Sequence, residues 1–265
     1  MRTINNDWTD FVLHNDFSNY DVYFMVDENP KQPAENGDIF IEYLYKKNSK
    51  ENSEEKHTKN TDIQIIQIRD TLCKQNNYYN SSVASNLKEI VAWDKALFYF
   101  GHIIVGKYDN IWFLEDDVFL SSPELLLRMD HQHTECDLLC SFHEINNDGK
   151  LWGNGVWNHW VNVEGKISLP WSHSLISVCR MSQRLLGRID EYVNNRPLMF
   201  IESLFTTLSL HNNYCIVTPD ELSTITYDHH WDENEIINPH KIYHPVKNTS
   251  IHSFLRKKNF LLSKK

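Results

Sequence analysis

No run of about 18 apolar residues occurs in this 265-residue chain, and its mean hydropathy is -0.52, so no transmembrane helix is expected. The segment Met1 to Asp7 has no apolar core and no small-residue cleavage site, which argues against a secretory signal and makes the cytosol the expected location. Cations are in short supply: 26 Lys and Arg face 36 Asp and Glu, a formal charge of -10. Sequence-independent nucleic-acid binding needs a basic face, so no nucleic-acid partner is expected. The five cysteines, Cys73, Cys136, Cys140, Cys179 and Cys215, form no C-x-x-C pair and fit neither a zinc ribbon nor a disulfide framework; they read as reduced thiols. There is no Gly-rich phosphate loop near the first candidate strand, which counts against a nucleotidyltransferase. Nor is there a Gly/Pro-rich linker or an internal repeat, so one domain is favoured.

What the chain does have is apolar bulk. With 41% hydrophobic and 12% aromatic residues it can offset the entropy of ordering a single core. β-Branched and aromatic runs predict strands over Tyr20 to Asp27, Asp38 to Tyr45, Ile63 to Ile68, Tyr108 to Leu114, Asp137 to Phe142, Leu175 to Arg180 and Tyr214 to Val217. Apolar residues near helical spacing predict helices from Ser85 to a stop at Gly101, from Pro123 to Met129, from Ser182 to about Val193, and from Phe200 to Leu208. Strands alternating with helices predict an α/β fold with a mixed, mostly parallel central sheet flanked by helices. Residues 46–60 contain no apolar side chain and read as a polar, mobile loop inside the domain.

The apolar run Ile111 to Leu114 ends in Glu115-Asp116-Asp117. Three adjacent carboxylates at the edge of a core repel one another unless a cation or strong donors compensate. In open α/β sheets ligands gather at the carboxyl ends of strands, where this cluster falls, and an oxygen-rich set suits Mg2+ or Mn2+ shared with substrate phosphates. Taken alone, the acids are equally a solvated acidic turn.

Trp112-Phe113-Leu114-Glu115-Asp116-Asp117-Val118, preceded by Ala92-Trp93-Asp94-Lys95-Ala96-Leu97, resembles glycosyltransferases of the GT-A fold, whose D-x-D-type motif holds a divalent cation on the diphosphate of a nucleotide sugar. The likeness runs over residues 20–247 in motif order. It implies a GT-A-like, Rossmann-type catalytic domain over residues 1–253 that transfers a sugar, most plausibly from a UDP-sugar, to a carbohydrate or glycoconjugate acceptor. Glu115, Asp117 and His244 would hold the metal, His244 lying in Ile242-Tyr243-His244-Pro245-Val246-Lys247, which resembles the family's C-terminal segment. Asp27, Asp116, Lys247, Arg2 and Arg69 would bind the donor, with Lys247 on its phosphates. Glu202 would be the general base of an inverting reaction, although the family's acid pair stands here as Glu202-Ser203. The rival metal ligands are His229 and His230, of which an extended segment lets at most one coordinate.

The Trp-rich stretch from Trp152 to Trp171 reads either as core or as an acceptor wall with Trp157, Trp171 and His173 facing the sugar. The last ten residues hold five cations and no acid, so residues 254–265 read as a basic amphipathic tail able to touch an anionic membrane surface, or as a frayed terminus. Two other functions fit the same acids and aromatics: a nucleotidyltransferase or metal-dependent phosphohydrolase, and a non-catalytic carbohydrate-binding protein.

Overall fold

The computed structural model describes residues 6–31, 38–44, 63–82, 90–150 and 167–262. Arg2, Trp157 and the polar loop at 46–60 lie outside them. The chain opens with α1 (Asn6–His14), where Trp8, Phe11 and Val12 recur at helical spacing and turn inward. Three strands follow: β1 (Val22–Val26), β2 (Ile39–Leu44) and β3 (Ile63–Ile68). After α2 (Asp70–Gln75) and α3 (Ala92–Phe98) comes β4 (Asn110–Leu114), then α4 (Glu124–Gln132). The second half holds β5 (Leu138–Leu139), β6 (Glu144–Asn146), β7 (Trp171–His173), β8 (Val178–Ser182), α5 (Gln183–Val193), α6 (Ile201–His211), β9 (Ile216–Val217) and α7 (His252–Leu262). No described helix is long and apolar enough to cross a membrane.

The strands do not form the mostly parallel central sheet expected from the sequence. They form three small sheets, ordered β1-β3-β2, β4-β8-β5-β9 and β6-β7. Among the described residues only the β1–β3 and β5–β9 ladders are parallel; β2–β3, β4–β8, β5–β8 and β6–β7 are antiparallel. The departure has a definite cause. β4, α4 and β5 would make a parallel crossover unit if β4 and β5 paired. Instead β8 inserts between them, antiparallel to both, with Phe113 opposite Cys179 and Leu139 opposite Arg180. Between residues 20–25 and 108–116 lies a cavity of about 1070 Å³, and β1 and β4 line it rather than share a ladder.

Two apolar clusters cover opposite faces of β4. Ile111 and Phe113 enter one with α3, α5 and α6, while Trp112 and Leu114 pack on the other with α1 and α4. The alternation is the period-two signature of a strand, and burying a side chain such as Phe113 contributes about 1.5–3 kcal/mol. α5 is capped by Ser182, whose Oγ accepts from Leu185 N at 3.1 Å, and buries Leu185, Leu186, Ile189 and Val193. α6 is buried from Ser203 to Ser209, with the Thr207 hydroxyl taking Ser172 N–H at 2.9 Å on β7. Gly101 does not stop its helix as expected. The chain continues through a π turn, Tyr99–Ile103, which Ile104 closes by donating to Tyr99 O at 2.9 Å.

The cysteines are not all reduced thiols. Cys136 and Cys215 form a disulfide, brought together because β5 and β9 pair in parallel and Asp137 N and Leu138 N both donate to Cys215 O at 3.0 Å. Their separation of 79 residues hides the pair from any local pattern. Cys73, Cys140 and Cys179 are free and buried. The front of the basic tail is docked. Leu255 is buried, and the Arg256 guanidinium lies 3.8 Å from the Phe11 ring centroid while its Nε donates to Leu120 O at 3.0 Å.

Candidate metal and phosphate site

The acidic turn begins where β4 ends, and its backbone is clamped from three directions. Glu115 N donates to Ser177 O at 2.9 Å, just before β8. Asp116 O accepts from the Trp8 indole of α1 at 3.2 Å. Asp117 O accepts from Val246 N at 2.8 Å, and Phe119 and Tyr243 exchange two backbone hydrogen bonds. These last contacts lay residues 243–246 beside the turn and deliver His244. Trp231 secures the same segment by donating from its indole to His244 O at 3.2 Å.

The side chains converge. His244 Nε2 lies 3.2 Å from Glu115 Oε2 and 3.1 Å from Asp117 Oδ1, and one ligand atom from each of the three residues falls within 4.8 Å of the others. Lys247 Nζ sits 2.6 Å from the other oxygen of Asp117. The remaining oxygen of Glu115 accepts from Trp93 Nε1 at 2.9 Å. Burial would raise the pKa of both acids, but hydrogen bonds from His244 to both, from Trp93 to Glu115 and from Lys247 to Asp117 hold them down, Asp117 to about 2. The imidazole moves the other way: burial would lower its pKa, yet the hydrogen bonds to Asp117 and Glu115 and their charges lift it to about 9. The donor set, two carboxylates and an imidazole, fits a hard or borderline divalent cation.

Glu115 and Asp116 also line the large cavity, as do Asp27 from the end of β1 and Trp93. The backbone carbonyl of Asp27 is bound by Lys95, a fully buried residue whose Nζ also lies 3.0 Å from Asp70. Asp94, next to it, caps α3 by accepting from Val91 N at 2.9 Å and Ser81 N at 3.1 Å; burial raises its carboxyl to about 6. Deeper in the cavity wall, the buried Arg180 binds Asp130 at 2.9 Å, and Asp130 also accepts from Tyr20 at 2.6 Å and Trp112 at 3.1 Å.

The structure therefore brings Glu115, Asp117, His244 and Lys247 into one cluster and places Asp27 and Asp116 along the adjoining cavity. Arg69 is not among the cavity's lining and lies 3.7 Å from Asp38. His229 is turned to Glu235, 3.0 Å away. Trp171 and His173 are both buried, Trp171 donating to Ile167 O at 2.9 Å. His173, 3% exposed, lies 3.3 Å from the Glu202 carboxylate at the start of α6, which itself remains partly exposed. One helical turn on, the Phe205 ring meets Trp93, the donor to Glu115, at 6.1 Å between centroids, while neither Glu202 nor His173 is among the cavity's lining. Sequence reasoning missed the role of Trp93, the buried Lys95, Trp8 and the Arg180–Asp130 pair. Of these, Trp8 carried a signal in its spacing to Phe11 and Val12, and Trp93 and Lys95 stood in the run Ala92 to Leu97 without a role assigned to either.

No family model and no curated protein matches the chain.

Proposed function

We propose that this protein is a metal-dependent glycosyltransferase that moves a sugar from a nucleotide diphosphate donor, a UDP-sugar first among them, to a carbohydrate or glycoconjugate acceptor. The observation that carries the reading is the convergence of Glu115, Asp117 and His244 within 4.8 Å, with Lys247 beside them. These three residues would hold Mn2+ or Mg2+. Such a cation, when bound, neutralises charge growing on the diphosphate as its bond to the sugar breaks. Lys247, exposed and on a flexible stem, meets the phosphate oxygens. Asp27 and the cavity of about 1070 Å³ supply room for the nucleoside and sugar.

In an inverting displacement the acceptor oxygen bonds to the anomeric carbon while the carbon–phosphate oxygen bond breaks. The electron pair leaves with the diphosphate, and Glu202 takes the acceptor's hydroxyl proton. His173, in contact with the Glu202 carboxylate, fixes its orientation. Phosphoryl chemistry with two metals would call for a second carboxylate cluster; among the described residues one candidate metal cluster occurs.

The test is incubation with UDP-, GDP- and CMP-linked sugars, with and without Mn2+, following nucleotide release. Mn2+-dependent release that falls about 10²–10³-fold in Asp117→Ala and His244→Ala supports the proposal. Release indifferent to Mn2+ and to both substitutions would overturn it. Tight sugar binding without turnover would favour a carbohydrate-binding protein.

A further inference from the structure

We infer that Lys247 is a tethered counterion that changes partners, resting on Asp117 when no divalent cation is bound and released to the ligand's phosphate when a cation takes that carboxylate. The inference rests on the metal reading above and concerns the order in which the site fills. The two oxygens of Asp117 have separate tasks: Oδ1 faces His244 at 3.1 Å, and Oδ2 faces Lys247 Nζ at 2.6 Å. A cation held by Glu115, Asp117 and His244 would share the Asp117 carboxylate with the ammonium. It would neutralise the charge that holds Lys247 and repel the ammonium directly.

The geometry lets the lysine respond without moving the fold. Its side chain is 64% exposed, while that of Asp117 is 15% exposed. The backbone beneath is pinned, with Val246 N donating to Asp117 O at 2.8 Å and Thr249 N to Lys247 O at 3.1 Å. Only the four-carbon stem need rotate, and an ammonium with three donors suits phosphate oxygens. Before a metal binds, a phosphate approaching this turn meets the exposed Asp116 and a lysine already engaged. Afterwards it meets the metal and a released cation. Metal and phosphate should therefore bind with positive coupling, and because coupling is reciprocal each raises the other's affinity by the same factor.

The experiment uses the full chain and two probes, neither requiring turnover. Mn2+ is titrated into wild type and Lys247→Gln, with free Mn2+ read by electron paramagnetic resonance. Inorganic phosphate is then titrated calorimetrically into the metal-free and Mg2+-saturated forms of each. Lys247→Gln should bind Mn2+ about two- to fivefold tighter, because a competing cation is gone. In wild type Mg2+ should raise phosphate affinity by about 5- to 150-fold, and Lys247→Gln should lose at least about fivefold of that gain. Lys247→Arg should retain most of it. Equal Mn2+ affinity in wild type and Lys247→Gln, or equal coupling in both, overturns the exchange while leaving the metal site standing. Failure of wild type to bind Mn2+ overturns the metal reading and the exchange together.

Discussion

Divalent-metal binding at this site should release a proton, and the structure gives the size of the effect. His244 Nε2 is shared between two carboxylates, and the resulting pKa of about 9 means that at pH 7 the imidazole is protonated. A metal needs its lone pair, so the proton must leave. Removing it two pH units below its pKa costs about 2.7 kcal/mol, or roughly a hundredfold in affinity. The carboxylates add no comparable penalty, because both are held below their ordinary values, Asp117 at about 2. Mg2+ affinity should therefore rise about tenfold per pH unit from pH 6 to 8.5 and flatten above 9. Calorimetry in buffers of different ionisation enthalpy should count about one proton released per Mg2+ at pH 7. His244→Gln should bind more weakly at high pH and release almost none. If wild type binds Mg2+ at Asp117 with no proton release, or if His244→Gln keeps the full pH slope, His244 is not a ligand.

The same ionisation makes the metal-free protein sensitive to alkali. His244 has a raised folded pKa, so its contribution is complete below about 6.5 and disappears as pH climbs through about 9. In chelator, the unfolding free energy should fall between pH 7 and 9.5 by about 3 kcal/mol at most, read by urea unfolding at each pH, and His244→Gln should flatten that fall. Glu202→Gln should lower kcat by about 10²–10⁴ while leaving Mn2+ affinity unchanged; equal kcat would remove Glu202 from the chemistry. Cys215→Ser should cost about 2–5 kcal/mol in urea unfolding, since the bridge closes a 79-residue separation, with little change in Mg2+ affinity. Arg180→Leu should cost about 3–5 kcal/mol by stranding Asp130 in the wall of the cavity, whereas the double substitution Arg180→Leu with Asp130→Leu should recover part of it.

How much of this was legible before any coordinates depended on how far each interaction reaches along the chain. β3 was readable to the residue, because Ile63, Ile65, Ile66 and Ile68 are all buried within one six-residue run. α5 was readable as a helix from Ser182 to about Val193, close to the Gln183–Val193 observed. Strand order was not: nothing local in Val178 to Ser182 says that this segment lies between β4 and β5 rather than beside one of them. The antiparallel insertion of β8, the Cys136–Cys215 bridge and the Arg180–Asp130 pair are contacts over tens of residues, and pattern reading cannot see them. α1 is legible in principle, since Trp8, Phe11 and Val12 have the spacing of a buried helical face.

The juxtaposition of Glu115, Asp117 and His244 does not depend on sheet order. Glu115 and Asp117 are placed by one strand end, and His244 and Lys247 by one short segment that is stitched to the turn through Val246 N and the Phe119–Tyr243 pair. Both are compact runs whose residue types carry the electrostatic conflict openly: three adjacent acids on one side, an imidazole and an ammonium on the other. Glu202 is different. Its carboxylate meets His173 on β7, and its place relative to the acids is set by the tertiary packing of α6, whose Phe205 meets Trp93. A substitution such as His173→Ala should therefore disturb turnover through Glu202 far more than metal affinity through Asp117. If instead it weakened Mn2+ binding as much as Asp117→Ala does, the two halves of the site would have to be a single packed unit, and the division of labour between metal and base would be wrong.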